Sequence, residues 1–452
     1  MTLRATAFGL YQRALHLDPQ FALAYADMAR AHAALGEVAQ AKDAWRKALA
    51  IPQRLSPQEK LRIELLLRQY DAPQPYFQQV DQYLTLYPDD YQVIGRAGTT
   101  LWHQRNDFRA SEAHFRRALK QEYPRHGVVN YSLAVVLLGQ ERYEEALVAF
   151  RKAREQGYTG AGEYYARAFD ARRRHDEADR VFAQGTNGRA GWQGEGAVVT
   201  WLDRGQWTRA ADAAQAWRKQ ASADAVERVR AEAAAASVQA IVQAPDARRR
   251  LHDLLSRVDV EAREVDAIVP GMSAEIRLLA ALLAARIDDR ELVRIALQRV
   301  RGQEEVGDFP VVAELQQVVL AEQERLLGEP HAAATRLRSL ARRDTALVMT
   351  HWGLMRAERA AGNKDAAQAQ AHWLATHRGR VLTESTASDV LRFMNASASN
   401  EALLEQAELL SQEGQKQEAR RQLDAFLAAW SQGGLPDGYR RRVDRLQAAL
   451  LG

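Results

Sequence analysis

The stretch FALAYADMARAHAALGEVAQAKDAWRKALAIP, residues 21–52, decides the fold. Met28 and Ala29 stand three and four residues after Tyr25, and His32 four and three after them, the spacing that puts one apolar stripe on one helix. Leu35-Gly36 offers a left-handed stop. Ala41, Trp45, Ala48 and Leu49 then stripe a second helix, which Pro52 ends. Small residues alternate with large ones because two helices approach closely only where an alanine meets an aromatic ring. Each predicted helix is about three or four turns long, too short to persist alone. Neighbouring hairpins must therefore cover each stripe.

Outward from this unit the layout returns at a fixed interval. Tyr11 and Trp45, Ala14 and Ala48, and Leu15 and Leu49 are 34 residues apart, and so are Gly328 and Gly362, and Ala333 and Ala367. A constant period of this length predicts a solenoid of stacked helical hairpins rather than a globule around one pocket. The second-helix pattern recurs at Ser111-Phe115-Ala118, Ala146-Phe150-Ala153 and Ala178-Phe182-Gly185. It recurs again at Ala210-Ala214-Trp217, Gly328-Ala333-Leu337, Gly362-Ala367-Ala371 and Gly414-Ala419-Leu423. In the 210–217 copy, Ala214 stands at the aromatic place and Trp217 at the small one, so the two exchange volume. From about residue 221 to 300 the register is lost, although 226–242 and 275–300 still read as amphipathic helices.

These residues resemble the tetratricopeptide repeat, whose pattern sets a bulky residue, Leu-Gly, an aromatic, then Ala, an aromatic and Ala ahead of Pro. The resemblance implies an all-α, right-handed superhelical solenoid of antiparallel helix pairs, with partners held on its concave side. A narrower resemblance covers roughly residues 5–157. Leu55-Ser56-Pro57-Gln58-Glu59-Lys60-Leu61, followed by Tyr83, Leu86 and Tyr87-Pro88-Asp89-Asp90, is similar to tetratricopeptide regions of bacterial signalling proteins. In those, the repeats are joined to winged-helix, nucleotide cyclase or kinase modules. Ser56 with Pro57 and Glu59 forms a capping box, and Tyr-Pro-Asp-Asp stops one helix and starts the next.

The spacing divides the chain into an N-terminal array (1–184), a glycine-rich connector (185–196) and a degenerate helical array (197–452) with a C-terminal capping helix. In that cap Val443, Leu446 and Leu450 are expected inward and Arg440, Arg441 and Arg442 outward. Residues 302–310 and the Ser- and Thr-rich 379–400 are further candidate hinges, with Ser388 a possible cap for a helix through Leu391 and Met394. At the other end, residues 5–17 match the second helix of a unit whose first helix is missing. Leu10, Tyr11, Ala14 and Leu15 would then be exposed on one side, suiting an attached effector domain or a second copy of the chain.

The chain has 452 residues, 47% hydrophobic and 27% charged, which excludes wholesale disorder and a membrane bundle. The longest apolar run considered, 278–285, is too short for a bilayer, which needs about 20 residues. Residues 1–10 show no secretory signal, so the cytoplasm is the expected compartment, with the periplasm compatible. With no cysteine there is no disulfide, thiol catalysis or thiolate zinc site. Of 62 basic residues 54 are Arg and 8 Lys, yet the net charge is only +4, because 58 acidic residues are interspersed. That balance suits solvated helix faces.

Catalytic and cofactor chemistry finds no support. The glycines of 185–196 lack the preceding strand and the Gly-Lys-Ser/Thr of a phosphate loop. His372 and His377 are five apart, off the spacing that places two metal ligands on one helix face. His103 and His114 lie in separate helices. Glu144-Glu145 and Asp288-Asp289 sit at helix starts, where they complement the dipole. No nucleophile elbow accompanies any serine. Arg172-Arg173-Arg174-His175, Arg248-Arg249-Arg250 and Arg440-Arg441-Arg442 are irregularly spaced, unlike base-reading repeats, so nucleic acid is a minor reading. Trp201, Trp207 and Trp217 fall at core places, and Trp192 lies in the connector. No cofactor or metal is expected.

On the concave side the intervening positions of each first helix face the groove. They are Ala26 and Arg30; Arg96, Thr100 and His103; Tyr131 and Val135; then Glu322, Trp352, Arg356 and Arg359. Guanidinium groups beside rings suit an extended peptide with acidic or carboxylate features. The expected partner-binding set is Arg30, Arg96, Thr100, His103, Tyr131, Trp352, Arg356 and Arg359. The expected function is a non-catalytic protein-interaction scaffold, the sensory or regulatory region of a signalling protein. The alternatives are an Arg-rich solenoid on nucleic acid, or a small-ligand sensor using residues 185–201.

Overall fold

The computed structural model describes residues 2–34, 37–71, 73–120, 126–158, 162–185, 194–221, 224–300, 309–386 and 388–451. The Leu35-Gly36 stop, Trp192 with most of the connector, and the 302–310 loop except its last two residues lie outside them. Among the described residues all regular structure is helical. The helices α1 (Thr2–Leu17), α2 (Ala22–Ala34), α3 (Val38–Leu49), α4 (Pro57–Asp71), α5 (Pro73–Leu86) and α6 (Tyr91–Arg105) begin the chain. Then come α7 (Phe108–Ala118), α8 (His126–Leu138), α9 (Tyr143–Glu155), α10 (Gly162–Asp170) and α11 (His175–Gly185).

Local signals act as the sequence dictates. Glu59 accepts from the Ser56 backbone N–H at 2.8 Å and Ser56 Oγ accepts from the Glu59 N–H at 3.3 Å, closing the capping box. Asp90 caps α6 by accepting from the Gln92 and Val93 N–H groups. Ala41, Trp45 and Ala48, and likewise Ser111, Phe115 and Ala118, are buried where consecutive helices pack. Gly328 and Gly362, which carry the late 34-residue interval, both turn the chain at positive φ.

The second part is α12 (Gly194–Asp203), α13 (Trp207–Gln220), α14 (Ala225–Ile241), α15 (Ala247–Ile268), α16 (Met272–Arg286) and α17 (Arg290–Val300). It continues through α18 (Pro310–Leu327), α19 (Pro330–Arg338), α20 (Val348–Ala360), α21 (Lys364–Thr376) and the short α22 (Arg378–Thr383). It ends in α23 (Arg392–Gln412), α24 (Lys416–Trp430) and α25 (Asp437–Leu451).

Here the structure departs from an open curved rod. The inner helices α12, α14, α16, α18, α20 and α23 each touch the next, and α23 touches α12, so six hairpins close into a ring. At the seam Arg392 pairs with Glu195 at 3.0 Å, Asn400 Nδ2 donates to the Asp203 carbonyl at 2.9 Å, and Trp430 Nε1 to the Leu202 carbonyl at 2.9 Å. Closure buries inner helices on every side: all of α16 and most of α23 are inside. An alanine-rich surface such as residues 231–236 of α14 lets backbones approach closely enough for this. The array coils onto the ring, with α3 against α15 and α6 against α18.

Two expectations are corrected. Residues 379–400 are no hinge: they form α22, a short connection and the start of α23, and nearly every described side chain there is buried. Ser388 does not cap α23, which follows Leu391; its N–H instead donates to Glu275 at 3.1 Å. In α25, Val443, Leu446 and Leu450 are buried and Arg440 and Arg441 exposed, but Arg442 turns inward onto Glu405 and Glu408. Paired acids on α23 outweigh hydration of that one guanidinium. No described helix is long and apolar enough to cross a membrane.

Candidate functional site

Residues 378–386, α22 and the three residues that follow it, run as a strap between the ring and the inner face of the array. Three inner helices of the array hold it. From α6, Trp102 Nε1 donates to the Thr383 carbonyl at 3.1 Å and Asn106 Nδ2 to Glu384 at 3.2 Å. Beyond α8, the Glu141 carboxylate accepts the Gly379 and Arg380 backbone N–H groups at 2.9 and 2.8 Å. From α10, Arg167 donates to the Leu382 carbonyl at 2.9 Å. In return, Arg378 donates to the carbonyls of Asp170 and Ala171, each at 3.0 Å, and to Asp203 at 2.8 Å. Arg380 lies over the Phe108 ring at 4.0 Å and donates to the Gly139 carbonyl at 3.1 Å. A methyl group built on Gly379 would overlap the Leu138 carbonyl, so this point of the strap must be glycine.

Charge beneath the strap is balanced. Arg167, Arg230 and Arg392 meet Glu163, Glu195 and Asp389, with Arg230 to Glu195 at 2.9 Å and Arg392 to Asp389 at 2.5 Å. Tyr164 Oη accepts from Arg392 at 2.9 Å. Burial pushes two carboxyls up to about 7: Glu275, which accepts from Thr386 and Ser388, and Glu384, which accepts from Asn106, Val348 and Asn395. Burial lowers His103 to about 4, so its imidazole is neutral at pH 7.

Ser385, His103 and Asp389 come together, but not as a catalytic relay. Ser385 Oγ lies 2.6 Å from His103 Nδ1 and 2.6 Å from Asp389 Oδ1. A relay requires the acid on the far imidazole nitrogen. Here the acid takes the serine proton instead, and the imidazole N–H supplies the serine oxygen. The trio fastens the strap. Among the described residues no group of His, Asp and Glu could hold a metal ion.

The residues expected to line an open groove fall in three places. Arg30 is exposed on α2, donating to Gln92 of α6 at 2.7 Å and to Asp27 at 2.5 Å. Arg96, Thr100, His103 and Tyr131 lie on the array. Of these, His103 touches the strap, Arg96 donates to Gln69 at 2.7 Å, and Thr100 is buried with its hydroxyl on the Arg96 carbonyl. Tyr131 packs in a ring cluster with Phe150, Tyr158 and Tyr164. Trp352, Arg356 and Arg359 are inside the closed ring: Trp352 is fully buried, Arg356 pairs with Glu322, and Arg359 with Glu405 and Glu408. Ala26 and Val135 are buried.

Trp102, Asn106, Glu141 and Arg167 escaped the sequence reading because they were not first-helix positions of the expected period, or lay in turns. One signal was available: residues 381–400 hold only Glu384, Asp389 and Arg392 as charges in an otherwise charge-rich chain, as a buried segment would. The basic clusters are engaged with carboxylates, Arg172 with Glu144, Arg174 with Glu177, Arg248 with Asp289, and Arg249 with Asp246. Trp207 and Trp217 are buried, while Trp201 is half-buried under Arg209.

No family model matches this chain, and no curated protein does. Among solved structures it is similar to the TPR domain of P58(IPK), with 13% identity over 94% of this chain and 98% of that one and a TM-score of 0.22. It is also similar to Naa15/Naa10 bound to HypK-THB, with 13% identity over 100% of this chain and 79% of that one and a TM-score of 0.24. Scores this low establish nothing about function, and the fold rests on the chain's own helix pairing: all-α hairpins stacked in sequence order.

Proposed function

We propose that this chain is a non-catalytic protein-interaction scaffold, the regulatory helical-repeat region of a bacterial signalling protein, whose array groove captures a peptide. One observation carries the reading: the inner face of α6, α8 and α10 already holds a short polypeptide segment, the one-turn α22 and the residues after it to Thr386, by contacts to the free backbone groups at the two ends of that turn. Backbone-directed hydrogen bonds with a few side-chain pockets are how such surfaces bind peptides. The signalling assignment draws on the Leu55–Leu61 and Tyr87–Asp90 segments described above. We take 1–184 and 197–452 as the two working parts, the array as the capturing surface and the ring as its regulator, with the strap passing between them.

Peptide display selection against the immobilised full chain, with E141K as the counter-selected variant, tests this. A consensus enriched on the wild type and lost on E141K supports the reading. Enrichment of nothing, or of the same sequences on both, overturns it.

A further inference from the structure

We propose that the array groove is specific for an Arg-Gly-Arg peptide continued by two aliphatic residues and Thr-Glu-Ser, and that the strap is the built-in copy of that ligand. This rests on the scaffold reading and supplies the chemistry of the partner. Each place along 378–385 is read individually. The first Arg has three acceptors, the Asp170 and Ala171 carbonyls of the array and Asp203 of α12, shared between Nε and Nη2, which a guanidinium fork satisfies and a lysine ammonium does not. The Gly is dictated by the Leu138 carbonyl against its Cα. The second Arg stacks on Phe108 and reaches the Gly139 carbonyl. Val381 and Leu382 are buried, and the His103 imidazole N–H donates to Ser385 Oγ.

A second observation comes from the turns. Asn106, Glu141 and Arg173, in the tight turns after α6, α8 and α10, all adopt positive φ, an arrangement that costs side chains other than glycine. Each reaches residues 378–400: Asn106 to Glu384, Glu141 to the Gly379 and Arg380 amides, and Arg173 to Asn400 at 2.8 Å. In the ring, the turns after α12, α18, α20 and α23 use glycine at positive φ, and those after α14 and α16 use Gln243 and Asp288. All three array turn residues put their side chains on the strap or on α23. A partner carrying the same peptide competes for those groups, and its binding frees the strap and with it the join between array and ring.

The test uses the full chain and a fluorescein-labelled peptide of residues 376–386. In the strap variant G379A/R380A the groove residues are untouched, so the peptide should bind at least tenfold more tightly than to the wild type. A peptide with Ala at the glycine should bind the same variant at least tenfold more weakly than the native peptide. Absence of binding to a folded strap variant, or equal binding of both peptides, overturns the proposal. If G379A/R380A does not fold, hydrogen exchange on the wild type decides: saturating peptide must raise exchange at residues 378–385, and unchanged exchange overturns it. A display consensus lacking Arg-Gly would refute this specificity while leaving the scaffold reading standing.

Discussion

Trp102 and Thr383 are hydrogen-bonded across 281 residues of chain, indole N–H to backbone carbonyl, at 3.1 Å. Both are buried, so water cannot replace the bond. Trp102→Phe keeps most of the ring and removes the donor, leaving a buried carbonyl unpaired. It should cost ~1–3 kcal/mol, read as a lower urea midpoint with an unchanged slope. A variant as stable as wild type would mean that the strap does not depend on this bond.

Gly379→Ala places a methyl group on the Leu138 carbonyl, whereas Gly9 has open space around its Cα. Overpacking of this kind costs ~1–3 kcal/mol, while alanine inside an exposed helix gains ~0.5–1 kcal/mol over glycine. Thermal melts should therefore move down for G379A and slightly up for G9A.

The buried acids and histidines pull stability in opposite directions with pH. Glu275 and Glu384, raised from 4.5 to about 7, bind more protons in the native state, so each removes stability as pH rises from 4.5 to 7. His103 and His351, lowered from 6.5 to about 4, do the reverse: stability is lost as pH falls from 6.5 to 4. Each contribution is ~3 kcal/mol, and the two sets overlap between pH 4.5 and 6.5. In E275Q the stability curve over that window should tilt upward with pH relative to wild type, and in H351Q it should tilt downward. Parallel curves for all three proteins would contradict the assignment.

Arg286 and Glu401, both at least nine-tenths buried, pair at 3.0 Å inside the ring. Removing one partner leaves the other only its secondary contact, Glu401 on Arg442 at 3.5 Å or Arg286 on the Tyr439 hydroxyl, so E401Q and R286M should each cost up to ~3–5 kcal/mol. The double variant R286M/E401Q should cost less than the two single changes together, giving a non-zero coupling in a denaturation cycle.

Repeat positions were legible in the sequence because they answer only to neighbours: Ala41, Trp45 and Ala48 meet helices adjacent in the chain, and all three are buried. Closure of the ring was not, since hairpins stack in the same order whether a solenoid stays open or meets its own start. Ser385, Thr386 and Ser388 look like loop residues by composition; the partners that allow their burial, His103 and Glu275, lie far away in sequence. For the same reason Trp352 and Arg356 could be placed on inward-facing helix positions but not inside a sealed interior. Long-range polar pairing leaves no periodic trace.

The seam between α12 and α23 also sets a timetable for biosynthesis. Domains take shape from the N-terminus as the chain is made. Here the last inner segment to emerge is the one that shuts the circle, so the faces of α12 and α14 that meet α23 wait uncovered on the ribosome until Gln412 has been added. Nascent chains arrested short of that point carry a naked greasy surface, and their fate is decided by chaperones rather than by the stability of the finished protein.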